Sequence, residues 1–401
     1  MNTSKLRISL FRLHALLGLN LFLVLGLIFL SGTLLMFIWE IEASYTKEIR
    51  VNQPTAGHSA TVGQIYDSIK TYDASLLPVY FERSETSWLG DKTFTRTSGG
   101  REIYVWSNPE TAEILGTTST SSLRKILYEL HINIMTGHRI GALIASGFSV
   151  VVLFFIISGL LAYRKFWKGF FRAPPKNKGA RAWWGGVHRL AALWVFPFLL
   201  LMAVTGFYYF VATLGVLHNK APQASPPINR SSIYPERFDG AALDRAIEAA
   251  HEIMPELEIT LVDLPFSRSH GIVVFGNTGA SLVTPRANSV TVDPVTFEIL
   301  GHFRAEDLST GQRLSEIVSS LHTGIWGSLY SRLLWLGFGT IATFLTIAGA
   351  MVYASRVSNA PDMQSRSTAC RIWRGMSHFK WGLMFYLLAI AALAIIRFGG
   401  F

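Results

Sequence analysis

Five stretches of this chain run without a single Asp, Glu, Lys or Arg: Leu13–Trp39, Ile140–Tyr163, Leu190–Leu217, Leu333–Ser355 and the shorter Trp381–Ile396. A helix crosses a bilayer in roughly 17–25 apolar residues, because lipid leaves the backbone no hydrogen-bond partner but itself. The pattern predicts a multi-pass membrane protein, and a composition that is 50% hydrophobic and only 15% charged agrees with it. Lys5, Arg7 and Arg12 precede the first run. Its apolar part exceeds the roughly 7–15 residues of a signal sequence, and no clear small-x-small cleavage site follows, so a retained anchor is expected.

The basic residues give an orientation. Arg164, Lys165, Lys168, Arg172, Lys176, Lys178 and Arg181 lie between the second and third runs with no acid among them; Arg356, Arg366, Arg371, Arg374 and Lys380 follow the fourth, against Asp362. Short basic loops stay in the cytoplasm. The expected layout is a cytoplasmic start (1–12), a first span (13–39), an external domain (40–128), a second span (129–163), a basic loop (164–185) and a third span (186–217). A second external domain (218–319), a fourth span (320–355), a cytoplasmic loop (356–379) and a fifth span (380–398) follow. The net charge of +10 is thereby a topology signal, and nucleic-acid binding is not expected.

The chain has one cysteine, Cys370, which excludes an internal disulfide and a cluster held by about four thiolates. Neither GxGxxG nor GxxxxGK[ST] occurs, so no nucleotide site of those kinds is expected. An electron carrier in such a chain has to be held by histidine.

Self-similarity organises the rest. In LHALLGLNLFLVLGLIFLSG, His14 precedes the Ser31–Gly32 pair by the same interval as His188 precedes Thr205–Gly206 in VHRLAALWVFPFLLLMAVTG. LHINIMTG at Leu130 and LHTGIWGS at Leu321 also correspond, with Gly137 to Gly159 and Gly327 to Gly349 both 22 apart and related ends, SGLLAY and AGAMVY. Outside the membrane, SNPETAEILG (Ser107–Gly116) matches VDPVTFEILG (Val292–Gly301), an Asx-Pro turn between alternating runs that reads as strand–turn–strand. Helical patterns over Val62–Tyr72 and Ala241–Ile253 precede them. The expected fold is an integral membrane helical bundle: four core helices from a duplicated helix–domain–helix unit, a fifth helix, and two small α+β domains outside. Both copies enter with the same orientation, so the pseudo-two-fold axis runs along the membrane normal.

That symmetry sets His14 opposite His188 and His131 opposite His322. A lone histidine near a helix end needs no function, since it can touch water and head groups; recurrence in register gives it one, because two imidazoles facing across a bundle are what bis-histidine haem ligation requires. Gly32 and Gly206 lie about 27 Å along their helices from His14 and His188, and Gly159 and Gly349 about 40 Å from His131 and His322. Each small residue then stands level with the other pair, where a flat macrocycle needs room, although ordinary small-residue packing gives the same pattern.

Continuous helices would place His131 and His322 about 40–50 Å above Arg164 and Arg356, beyond the roughly 30 Å hydrocarbon core. His138, two turns on from His131, is a possible alternative ligand, but its repeat counterpart is Ser328. His58, His218, His251, His270, His302 and His378 have no repeat partners and read as solvated surface. Trp39, Trp183–Trp184 and the FYYF run at 207–210 read as interfacial belts.

These four His and small-Gly segments, with the external D/N-P-x-T hairpins, resemble the PepSY-associated transmembrane family of bacterial inner-membrane proteins over about residues 10–357. Some members of that family are di-haem ferric-siderophore reductases. The resemblance implies two periplasmic PepSY-like domains and two haems b, with the iron held by His14 and His188 on the inner side and by His131 and His322 on the outer. It also implies an oxidoreductase that takes electrons from a quinol or a cytoplasmic reductase and reduces a ferric siderophore or another periplasmic ferric chelate. The competing reading is a cofactor-free PepSY membrane protein that binds or inhibits a peptidase or acts as a sensor.

Overall fold

The computed structural model of the chain describes residues 3–51, 59–136, 138–163, 165–217, 238–265 and 271–398, without the side chains of 3, 4, 138, 394 and 396–398. Its helices are α1 (Thr3–Leu35), α2 (Ile38–Tyr45), α3 (Val62–Tyr72), α4 (Leu123–Asn133), α5 (His138–Ala162), α6 (Gly179–Thr213), α7 (Gly240–Ile253), α8 (Thr310–Thr323), α9 (Ser328–Val357), α10 (Thr368–Gly375) and α11 (Phe379–Phe398). The strands are β1 (Leu77–Glu82), β2 (Asp91–Arg96), β3 (Glu102–Ser107), β4 (Ile114–Ser119), β5 (Glu258–Asp263), β6 (Ile272–Asn277), β7 (Ser289–Val292) and β8 (Ile299–Phe303). They form two compact units, one of Met1–Phe37, Leu123–His218 and Leu321–Phe401, the other of Ile38–Ser122 and Asn219–Ser320.

In the first unit, four segments are long and apolar enough to cross a membrane: Lys5–Leu35, Arg139–Ala162, Gly179–Thr213 and Ile325–Val357. Thr368–Gly375 and Phe379–Leu393 pass that test only together, as a pair bent by 108°. The helices α1, α9, α6 and α5 pack in a closed ring, each against the next, and α4 lies against α1 and α5. Leu25, Val152, Val195, Phe198, Ala203 and Ala342 fill its centre.

The spans expected at 129–163 and 320–355 are not continuous helices. Between α4 and α5, Ile134 and Met135 take φ of 46° and 59°, a left-handed conformation no helix can continue through, and both side chains are buried. Between α8 and α9 the break uses Gly324 at φ 71° and Ser328 at φ 50°. A Cβ on Gly324 would stand 2.9 Å from the Trp335 ring, and the Ser331 hydroxyl accepts from Gly327 N–H at 2.9 Å and donates to the Gly324 carbonyl. The first span also stops early. The helix expected to reach Trp39 ends at Leu35, and Trp39 sits in α2, where it packs on Tyr104 and Trp106 of the second unit.

The second unit is a single antiparallel sheet of eight strands in the order β4-β3-β2-β1-β5-β6-β7-β8. Two separate external domains were the sequence expectation; the structure joins them where β1 pairs with β5, through Tyr80–Asp263, Phe81–Val262 and Glu82–Leu261. Each half carries the repeated hairpin. Asn108 Oδ1 accepts from Glu110 and Thr111 N–H, and Asp293 Oδ1 from Val295 and Thr296 N–H, before Ala112 and Phe297 turn the chain at φ 60°.

On one face of the sheet, α3 and α7 bury Ile65, Ile69, Leu243 and Ala246 against Phe81, Val105, Val262, Val274 and Val290. The opposite face of the first half holds Tyr104, Trp106 and Trp39, with the Lys92 ammonium 4.2 Å above the Trp39 ring and 2.8 Å from Glu82. The helices cross by a reciprocal contact: Gly63 N–H donates to Asp244 Oδ1 at 2.8 Å, and Gly240 N–H to Asp67 Oδ1 at 2.7 Å. Neither glycine has space for a side chain, because a Cβ on Gly63 would lie 2.1 Å from the Gly240 carbonyl oxygen and one on Gly240 2.2 Å from that of Gly63. Replacing Gly63→Ala therefore forces the helices apart, and thermal unfolding of the detergent-solubilised protein is expected to show a loss of about 1–3 kcal/mol.

Candidate functional site

Four of the described histidines of the first unit, His14, His188, His131 and His322, are held in the same way, each with Nδ1 against an oxygen of a neighbouring helix. His14 on α1 places Nδ1 2.7 Å from the Ser158 hydroxyl on α5. His188 on α6 places Nδ1 3.2 Å from the Leu345 carbonyl on α9. His131 on α4 places Nδ1 2.9 Å from the Ile28 carbonyl on α1, and His322 on α8 places Nδ1 2.8 Å from the Thr205 hydroxyl on α6. In every case the partner lies on the other helix of the same repeat.

These partners fix which nitrogen carries the proton. A carbonyl oxygen only accepts, so His188 and His131 are protonated on Nδ1. The hydroxyls act alike, since Ser158 donates to the Phe154 carbonyl and Thr205 to the Leu201 carbonyl, both at 2.7 Å. With its proton spent on its own helix, each hydroxyl offers the imidazole a lone pair. All four rings thus keep the lone pair on Nε2, the form in which a neutral imidazole binds a metal.

The rings pair across the repeats. His131 and His322 have centroids 6.2 Å apart with planes inclined by 47°. His14 and His188 stand on α1 and α6, the two helices set diagonally across the ring. Phe155 packs 4.9 Å from His14, and Tyr209 meets His322 edge-on at 5.3 Å.

The small-Gly pairs lie at these contacts. A Cβ on Gly32 would stand 2.6 Å from Cε1 of His131, one on Gly349 3.3 Å from Cε1 of His188, and one on Gly159 3.9 Å from Cε1 of His14. Gly206 differs: its missing side chain makes room for Ser149 of α5, 3.0 Å away, while the residue before it, Thr205, holds His322. The depth of about 40–50 Å expected for His131 and His322 is corrected by the breaks. Because α4 is a separate helix beside α1, His131 lies at Gly32, and about 27 Å of α1 separates that glycine from His14.

The His138 side chain lies outside those described, as do His58, His218 and His270. His251, His302 and His378 are exposed. Ser158 and Thr205 as acceptors, and Tyr209 beside His322, were not read from the sequence. The signal for the hydroxyls was present in the residue preceding each repeated glycine, Ser31, Ser158, Thr205 and Ala348. Where that residue is Ala348, no hydroxyl exists and His188 takes a backbone carbonyl.

A ring of bilayer-length helices, built from one unit used twice and enclosing paired histidines, defines a multi-pass membrane protein. The chain belongs to the PepSY-associated TM region family, whose model matches residues 11–356 and so leaves α10 and α11 outside. No curated protein matches it.

The two ends of this geometry respond differently to a methyl group. Gly32→Ala drives a carbon into the His131 imidazole and is expected to lower stability by about 1–3 kcal/mol in thermal unfolding. Gly159→Ala, whose Cβ would meet Cε1 of His14 at an ordinary contact distance of 3.9 Å, is expected to stay within about 0.5 kcal/mol of the parent.

Proposed function

We propose that this protein is an inner-membrane oxidoreductase. It carries single electrons from the cytoplasmic side or the quinol pool to a periplasmic acceptor, with one haem b held by His14 and His188 and a second by His131 and His322. The observation that carries the reading is the set of four imidazoles, each anchored through Nδ1 and set against its repeat counterpart. When bound, haem supplies a one-electron Fe(III)/Fe(II) couple.

The donor sets suit that group. His131 and His322, with ring centroids 6.2 Å apart, stand close enough to hold one metal between them. Among the described residues no group of three or more His, Cys, Asp or Glu is placed to hold a metal ion. Each pair of imidazoles would hold the iron of one haem.

The basic segments 164–185 and 356–379 support a cytoplasmic position for the ends they join, and hence a periplasmic one for the sheet unit. The acceptor that fits the family resemblance is a ferric siderophore: one electron converts its Fe(III) to Fe(II), and the metal is released in the reduced form.

A visible spectrum tests the reading. Protein made with ample haem is expected to show a Soret band, a low-spin α band and two haems per chain. His14→Ala, His188→Ala, His131→Ala and His322→Ala are each expected to remove about one, whereas His138→Ala keeps both. Dithionite-reduced protein is expected to be reoxidised by ferric siderophore with one Fe(II) formed per electron. A chain without a Soret band overturns the reading in favour of a cofactor-free PepSY protein, and loss at His138 in place of His131 reassigns the outer ligand.

A further inference from the structure

Each histidine pair is chemically lopsided. In the His14–His188 pair, one ring is held by a side-chain hydroxyl (Ser158) and the other by a main-chain carbonyl (Leu345). In the His131–His322 pair the same division recurs, with Thr205 as the hydroxyl and Ile28 as the carbonyl. Ser158 is 1% exposed and Thr205 2%, so neither hydroxyl is there to meet water. The division also crosses the repeats: the hydroxyl belongs to the first repeat in one pair and to the second in the other.

We propose that Ser158 and Thr205 are positioning residues that fix the tautomer and rotation of His14 and His322 and set the basicity of their Nε2, each thereby tuning one of two haems. This rests on the haem reading above. The physical argument lies in the direction of the hydroxyl protons. Each is committed to a carbonyl one turn back in its own helix, Phe154 for Ser158 and Leu201 for Thr205, so the oxygen is oriented as an acceptor before the imidazole arrives. An Nδ1–H bonded to such an oxygen shifts electron density toward Nε2, and a more basic ligand nitrogen would favour Fe(III) over Fe(II). Loss of the acceptor reverses this: the ring is freer to turn, binds less tightly and favours the reduced metal.

The backbone partners on Ile28 and Leu345 cannot be removed by substitution, so the two hydroxyls are where a side-chain change reaches the ligands. Thr205→Val keeps the branched shape and deletes the acceptor. It is expected to weaken haem binding at one site by roughly ten- to a hundred-fold and to raise the reduction potential of one couple, leaving the other in place. Ser158→Ala is expected to raise the other couple. Thr205→Ser, which restores the hydroxyl, is expected to return the potential toward that of the parent.

The experiment is potentiometric titration of the haem-loaded full chain, followed in the visible spectrum, with His322→Ala assigning which couple belongs to Thr205. Unchanged potentials in Thr205→Val and Ser158→Ala, in protein that binds two haems, overturn this inference and leave the haem reading standing. So does a shift in Thr205→Val that Thr205→Ser shares. Parent protein with no haem overturns both.

Discussion

A neutral imidazole inside a helical bundle has one proton and one lone pair to place, and an unplaced polar group in lipid costs several kcal/mol. Here the proton goes to an oxygen on a neighbouring helix four times over, twice to a carbonyl and twice to a hydroxyl. A carbonyl or hydroxyl on a packed helix is reachable only where side chains stand aside. Gly32, Gly159 and Gly349 stand at such contacts, each beside a histidine ring.

Anchoring and pairing use different symmetry. Each of these four histidines is bonded to a helix of its own repeat, while His131 faces His322 of the other. Each repeat can therefore orient its own rings locally, and the site is completed when the two repeats close. The sheet unit repeats the scheme by other means, with the hairpin turns built within each half and the β1–β5 pairing and the Gly63–Gly240 crossing built between them. In both units, contacts within a repeat shape the half and a few contacts between repeats join the halves.

Features with short-range causes were legible in the sequence. The four long apolar runs, the α3 helix at Val62–Tyr72 and the Asx-Pro hairpins are each specified by residues within one or two turns of chain. The register of His14 with His188, and of His131 with His322, was legible because repetition records spatial equivalence directly. What could not be read depends on distant partners. Gly324 is a recognisable breaker, but Ile134 and Met135 are a β-branched and a long apolar residue that local preference would keep in a helix. Their left-handed backbone is held by burial and by Met135 N–H donating to the Glu129 carbonyl. The union of β1 with β5 joins strands nearly two hundred positions apart, and nothing local distinguishes them from edge strands. The hydroxyl acceptors were hidden because a serine or threonine before a glycine reads equally well as close packing.

The Ser31, Ser158, Thr205 and Ala348 positions have a consequence for how such a molecule can vary. If the two repeats were separate, identical chains, the residue before each glycine would have to match between copies, and any change to one member of a pair would be imposed on its twin. Covalent fusion removes that obligation. Ala348 stands where its counterpart is Ser158, and the repeat counterparts His14 and His188 are held by unlike partners, a hydroxyl and a main-chain carbonyl. A duplicated chain of this kind can adjust four imidazoles one at a time, a freedom that a symmetric dimer of half-length chains does not possess.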